Sequence, residues 1–166
     1  MGNGAAGTTR TVDGFTLKMG GEANLDLVRP LWEKLNRMHS ELSPHFKQRY
    51  QKMDWQWRKA ALLKKSKAIL LKYVVDDRGE TIVGYCISSI AREDETVGEI
   101  DSLYIAEEYR KAGIGKLLMF NAIQWLNGRG VKTQRLLVGV GNERAIEYYR
   151  QFGFHPLHIV LQKREE

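Results

Sequence analysis

Hydrophobic and polar positions alternate with different periods along the chain, and each change of period marks an element. Phe15, Leu17 and Met19 are separated by Thr16 and Lys18, a two-residue repeat that predicts a strand closed by Gly20-Gly21. Leu27, Leu31, Leu35, Met38 and Leu42 recur at three- and four-residue steps. They predict an amphipathic helix with Asn24 as its N-cap and Pro30 in its first turn or at a kink. Ser43-Pro44 interrupts the pattern, and Trp55 to Lys65 resumes it as a second helix. Ala68 to Val75 is an apolar run of strand type, Asp76 to Glu80 a turn, and Thr81 to Ile90 its antiparallel partner. A polar turn, Arg92 to Thr96, leads into a strand from Val97 to Ile105. Ile114, Leu118, Ala122 and Trp125 then mark a helix over Gly113 to Leu126. Arg135 to Val140 reads as a strand, Asn142 to Phe152 as a helix, and His158 to Gln162 as a last strand.

This order predicts one α/β domain, a mixed sheet sandwiched by helices, over residues 12–166 behind a flexible tail at residues 1–11. A chain of 166 residues is long enough to bury a core without disulfides or metal. Its 43% hydrophobic and 28% charged residues exclude disorder, collagen repeats and coiled coil as whole-chain descriptions. The single cysteine, Cys86, excludes a disulfide framework or cysteine-rich zinc site and reads as a small core residue. No apolar run approaches the ~20 residues of a membrane span. Met1 to Thr9 lacks the apolar core of a signal peptide, and Ala6 stands where a myristoylation signal carries Ser or Thr. A cytoplasmic location is the expectation. The 26 basic and 20 acidic residues leave +6, but the positives are scattered. Such a balance suits an enzyme for a phosphorylated cofactor as well as a nucleic-acid binder.

The most informative segment is Tyr104-Ile105-Ala106-Glu107-Glu108-Tyr109-Arg110-Lys111-Ala112-Gly113-Ile114-Gly115-Lys116-Leu117. A strand ends, a polar loop follows, and Gly113 and Gly115 open a helix. Unpaired N–H groups at a helix start hold anions, and glycines let the main chain approach a diphosphate. A Walker loop would need Gly at Arg110 and Ser or Thr at Leu117, and a dinucleotide fingerprint would need Gly or Ala at Leu118. Arg110-x-x-Gly113-x-Gly115 after a meander strand instead resembles the pyrophosphate loop of the GNAT superfamily of acyl-CoA-dependent N-acetyltransferases. Downstream, Asn142, Ala145, Tyr149, Gly153 and Phe154 resemble that superfamily's second signature. The resemblance covers Gly84 to Gln162, and the N-terminal half only in element order.

The resemblance implies a mostly antiparallel sheet with a splayed central strand pair, and acetyl-CoA as co-substrate. Main-chain groups of Leu103, Tyr104 and Ile105 would bind pantetheine in the splay. Arg110 would add charge at the rim, and the N–H groups of Lys111, Ala112, Gly113, Ile114, Gly115 and Lys116 would cradle the pyrophosphate. Asn142 would bond the cofactor arm. Glu99 stands where many members carry the base that draws the proton from the acceptor amine. Asp101, two residues on, would share its face in a regular strand and orient the amine. Tyr149 matches the tyrosine that protonates the departing thiolate. No metal and no covalent enzyme intermediate are implied.

Acceptor specificity in such folds usually comes from the first two helices and the last strands. Trp32 and His39, seven residues apart, share one helix face and could wall a cleft for an amine with an apolar body. The acceptor, a small molecule or a protein amine, is not named by the residues, and a homodimer is a possible assembly. Nucleic acid and membrane are not expected as partners, because basic residues are not interleaved with stacking aromatics and no membrane segment is present. A non-catalytic acyl-CoA-binding regulatory module is the alternative to an enzyme.

Overall fold

The computed structural model describes residues 10–12 and 14–164. Among them, six strands form one sheet whose spatial order follows the chain. β1 (Arg10–Val12), β2 (Phe15–Gly20), β3 (Ser66–Asp76), β4 (Thr81–Ala91) and β5 (Val97–Ile105) pair antiparallel in succession. β6 (Thr133–Leu136) joins β5 in parallel. A parallel join needs a crossover, and α4 (Ile114–Gly128) supplies it. Most of the expected tail lies outside the described residues, and its last positions enter β1.

The remaining helices are α1 (Arg29–Leu42), α2 (Lys47–Lys52), α3 (Trp55–Lys65) and α5 (Glu143–Arg150). Pro30 sits in the first turn of α1, where its missing N–H is harmless. Asn24 is not the cap of that helix. It lies inside a 3₁₀ segment, Glu22–Val28, and its Oδ1 accepts the Gly21 N–H at 3.2 Å. The helix α2 was not expected, because Lys47-Gln48-Arg49-Tyr50-Gln51-Lys52 carries no apolar period. Asp54 caps α3 by accepting the Trp57 N–H at 2.7 Å.

Both faces of the sheet are covered. On one, Leu25, Val28, Leu31, Trp32, Trp55 and Leu62 pack against Leu71, Tyr85 and Ile87. On the other, Ile114, Leu118, Met119, Ala122 and Leu126 of α4 pack against Val74, Cys86, Ile90 and Ile100. Gly98 allows the close approach of α4: a Cβ there would lie 2.6 Å from Leu126 Cδ2. Burial pushes the Cys86 thiol up to about 12, so it is a core residue and not a nucleophile.

Two expected strands differ from the structure. The one expected over Arg135 to Val140 pairs only as β6 and stops at Leu136, before Gly139 and Gly141 turn the chain toward α1 and α2. The one expected over His158 to Gln162 does not form, because a strand needs a partner edge as well as a β-prone composition, and no ladder reaches these residues.

Candidate active site

β5 has two neighbours at its start and one at its end. It pairs with β6 from Val97↔Thr133 to Ile100↔Leu136 and there the two part. From Asp101 to Ile105, β5 keeps only its pairing with β4, so the edge once shared with β6 is open. A register shift falls at the same point: Ser102 pairs with Ile87 and Ile100 with Ser88, leaving Asp101 as the bulged residue. Behind the bulge, the buried Tyr85 hydroxyl and Ser102 Oγ lie 2.7 Å apart.

At the far end of the open edge the chain enters the glycine loop. Tyr109 donates its hydroxyl to Asp76 Oδ2 at 3.1 Å and so ties the loop to the end of β3. Arg110 Nε donates to the Ile105 carbonyl at 3.1 Å, and its guanidinium lies over the Tyr104 ring, 5.5 Å from the centroid. Lys111 and Gly113 both adopt left-handed backbone, at φ +70° and +80°. Glycine does so freely, whereas a lysine there is strained by roughly 1–2 kcal/mol. Gly113 precedes α4, no side chain caps that helix, and the first intrahelical bond is Leu117 N–H to the Gly113 carbonyl. The N–H groups of Ile114, Gly115 and Lys116 are thereby left to outside acceptors.

Tyr148 completes this corner. A Cβ on Gly115 would sit 2.6 Å from the Tyr148 hydroxyl, so only glycine admits the phenol. That hydroxyl is buried without a hydrogen-bond partner, and burial pushes its pKa up to about 12. Tyr149 is packed against Tyr148 and Phe154, and burial raises its phenol as well. Asn142 stands just before α5 and spends its own N–H on the Gly139 carbonyl at 3.1 Å.

Glu99 and Asp101 converge at the other end of the open edge. Lys65, from the end of α3, lies between them, 3.0 Å from Glu99 Oε1 and in contact with Asp101 Oδ1. Ser89 Oγ donates to Asp101 Oδ2 at 2.5 Å, Arg58 donates to the Asp101 carbonyl at 3.0 Å, and Arg135 of β6 lies 3.5 Å from Glu99 Oε2. The Asp101 carboxylate is inaccessible, and burial raises its pKa against the opposing pull of Lys65 and Ser89. Glu99 keeps 15% exposure and borders a cavity of about 210 Å³, which Lys65, Ser89 and Arg135 also line.

A larger cavity of about 530 Å³ lies between α1 and α2 and shares no lining residue with the first. Trp32 borders it but is only 5% exposed, its ring 5.4 Å from that of Trp55. The expected aromatic wall is therefore largely core at this position. His39 packs edge-on against Tyr50 at 5.5 Å, and burial lowers its pKa. The Tyr50 hydroxyl in turn lies against Gly139, where a Cβ would be 2.9 Å away. His39 and Tyr50 thus stand beside the segment that leaves β6 at the parting. Size favours the larger cavity, but the paired carboxylates and open strand edge lie elsewhere, and the chemistry follows them.

The family model described as Acetyltransferase (GNAT) family matches residues 31–154. The chain belongs to this family. An uncharacterised N-acetyltransferase of Methanocaldococcus jannaschii is 36% identical over 74 residues, covering 45% of this chain and 32% of that protein. A ribosomal protein bS18 alanine N-acetyltransferase of Salmonella typhimurium is 29% identical over 89 residues, 54% of this chain and 56% of that one. The chain spans only 30–56% of the length of such curated relatives. Among solved structures, an aminoglycoside N-acetyltransferase in complex with CoA superposes with TM-score 0.64 at 14% identity, over 96% of this chain and 97% of that one. A putative acetyl transferase from Pyrococcus furiosus gives 0.64 at 18%, over 90% and 99%. The GNAT fold, one α/β domain with a mixed sheet, is that of this chain.

In this GNAT domain the structure brings the two groups of expected residues to opposite ends of one open edge. Leu103, Tyr104 and Ile105 lie along it, Lys111 to Lys116 at one end, Glu99 and Asp101 at the other. Sequence reasoning missed Lys65, Ser89, Arg58 and Arg135 at the carboxylates, and the closeness of Tyr148 to the loop. Lys65 stood in the cluster Lys64-Lys65-Ser66-Lys67, which resembles an ordinary solvated helix end. Only the pairing of β3 with β4, and of β4 with β5, carries the end of α3 to Glu99.

Proposed function

We propose that the chain transfers an acetyl group from acetyl-CoA to a primary amine by direct attack in a ternary complex. One observation carries this reading: the stretch of β5 that β6 leaves unpaired, from Asp101 to Ile105, runs from the pair of carboxylates to an anion-ready loop. The residues fit the co-substrate on independent grounds. The Tyr148 hydroxyl, without a hydrogen-bond partner among the described residues, lies against Gly115, and Lys111 and Gly113 are left-handed with open space where a Gly113 Cβ would stand.

The chain's own groups divide the work. N–H groups from Lys111 to Lys116 hold the diphosphate, with Arg110 and Lys116 adding charge at the rim. Main-chain groups of Leu103, Tyr104 and Ile105 on the open edge hold the extended arm as a neighbouring strand would. Asn142, at the mouth, bonds the same arm. When bound, acetyl-CoA supplies the activated acetyl group and a thiolate leaving group. An amine of pKa near 10.4 is held neutral at pH 7.4 at a cost of about 4 kcal/mol, so a proton acceptor is required. Glu99, in reach of water, takes that proton, while Asp101, expected to orient the amine, has an inaccessible carboxylate and holds Lys65 beside Glu99 instead. The Tyr149 phenol is protonated at neutral pH, as an ordinary tyrosine is, and so carries a proton for the departing sulfur.

An amine panel tests the reading: thiol release from acetyl-CoA with alkylamines, an aminoglycoside and an alanyl-amino-terminal peptide. The aminoglycoside and the alanyl peptide correspond to acceptors named in two relatives' descriptions. Release with any of them supports an enzyme. CoA binding without release from the whole panel favours the non-catalytic acyl-CoA-binding module. The two tyrosines separate on steady-state and binding data. Tyr149→Phe is expected to lower kcat about 100-fold with CoA affinity kept, as loss of a proton donor does. Tyr148→Phe is expected to weaken CoA binding up to about tenfold, the cost of one hydrogen bond, with a smaller effect on kcat. Equal effects of the two substitutions would remove the division of roles.

A further inference from the structure

Lys65 stands where an acceptor amine has to stand. A general base must lie within hydrogen-bond reach of the proton it removes. The Lys65 ammonium lies 3.0 Å from Glu99 Oε1 and touches Asp101 Oδ1, and no other lysine of the described residues pairs with either acid. Asp101 opens the stretch of β5 that β6 leaves unpaired. An arm held along Leu103 to Ile105, with its diphosphate in the glycine loop, brings its acyl end to this side.

Backbone contacts as well as charge hold the lysine there. The Arg92 N–H donates to the Lys65 carbonyl at 2.9 Å. Its guanidinium donates to the carbonyls of Leu63, Lys64 and Ser66 at 3.3, 3.2 and 2.6 Å. One residue of the turn between β4 and β5 thus fastens the end of α3 on both sides of Lys65. The Lys65 side chain keeps 38% exposure and lines the cavity of about 210 Å³ together with Glu99, which leaves room for an added acyl group.

A counter-ion role for the buried Asp101 explains less. Arg58 lies 3.9 Å from Asp101 Oδ1 and Arg135 3.5 Å from Glu99 Oε2, so each acid has an arginine besides Lys65. Three cations face two carboxylates, and the lysine is the one in surplus. It is also the one that can be acylated, because a guanidinium stays protonated and is no nucleophile.

We propose that Lys65 is a self-acetylation site, at which the chain transfers the acetyl group of its own bound acetyl-CoA to the Lys65 Nζ. The inference rests on the reaction proposed above and names one substrate for it. The nitrogen bonds to the acetyl carbon as the C–S bond breaks. Two protons leave the ammonium, one through Glu99 to water and one replacing the proton that Tyr149 gives the sulfur. The products are a neutral acetyl-lysine and the CoA thiol. Two carboxylates then face two arginines, and the charge at the site balances.

The test is incubation of the full chain with deuterated acetyl-CoA and peptide mass spectrometry, with thiol release from the amine panel measured on the same preparation. Lys59 and Lys67, paired with Asp26 and Glu95 away from the open edge, are the comparators. Lys65 is expected to take the label at least about tenfold faster than either, because a positioned amine reacts within its own complex. Its half-time should be the same at every chain concentration and lengthen about 100-fold in Glu99→Gln. Label at Lys65 no faster than at the comparators, a result that needs no variant, overturns the proposal. Thiol release from the panel in that same preparation then leaves the acetyl-transfer reading standing, whereas absence of both label and release overturns the two together. Label that persists at full rate in Glu99→Gln also overturns the proposal, as solvent chemistry. So does a rate that rises with chain concentration, as transfer between chains.

Discussion

Gly113→Asp is expected to raise the dissociation constant for CoA about 100-fold, measured by titration calorimetry. Gly113 holds φ +80°, where a residue with a Cβ is strained by roughly 1–2 kcal/mol. An acidic side chain at the start of α4 would also repel a diphosphate held by the neighbouring N–H groups. The strain is shared by the free and the bound chain and costs stability, so the repulsion and bulk of the new side chain carry the affinity loss, in which each 1.4 kcal/mol is tenfold. Gly130→Asp is the matched control. Gly130 has φ +75°, with nothing within 4 Å of a would-be Cβ, and it lies beyond the far end of α4. It should lose comparable stability and leave CoA binding untouched. Loss of affinity in both variants would trace the effect to strain alone, and unchanged affinity in Gly113→Asp would remove the loop from the binding site.

Glu99→Gln is expected to lower kcat about 100-fold at neutral pH, with the deficit largest at low pH. Without the carboxylate, the rate depends on the fraction of acceptor amine already neutral, which grows tenfold per unit up to a pKa near 10.4, so the gap closes as pH rises. A deficit equal at all pH values would mark a structural role. Asp101→Asn should lower kcat less than Glu99→Gln does, because the inaccessible carboxylate reaches the amine only through Lys65, which it holds beside Glu99. Burial raises the Asp101 pKa, so its charge is lost at a higher pH than in a free aspartate. As pH falls through that raised value the hold on Lys65 weakens in the wild type, and the activity of Asp101→Asn should show no such change there. Stability runs the opposite way. The folded chain holds this proton more tightly than the unfolded chain, so ionisation costs stability above the raised pKa and the cost fades below it. Lys65 keeps Glu99 as a partner at 3.0 Å, which limits the loss of stability at neutral pH.

Several parts of the site are local in origin and could be read without coordinates. Arg110, Gly113 and Gly115 act through backbone conformation and helix-start amides, properties of a few consecutive residues. The carboxylates Glu99 and Asp101 sit on one strand, and their common face follows from strand geometry apart from the bulge. Two tyrosines in succession, Tyr148 and Tyr149, were a harder case. Helix geometry separates their directions by about 100°. Which of them lies on the loop is decided by how α5 docks on the start of α4, where Gly115 makes room for the Tyr148 phenol.

What the amino-acid order settled was everything that short-range stereochemistry governs: the strands of the meander, α1, α3 and α4, and the glycine loop after β5. Tertiary structure alone decided the convergence of Lys65, Ser89, Arg58 and Arg135 on the two acids, the end of the β5–β6 ladder at Ile100 and Leu136, and the failure of His158 to Gln162 to pair. The reason is the same in each case. Periodicity and turn chemistry report what a segment prefers, whereas ion pairs between distant elements and strand ladders exist only when a second segment arrives at the right edge or face. The residues 157–162 carry a strand's composition without a strand, because no edge pairs with them among the described residues.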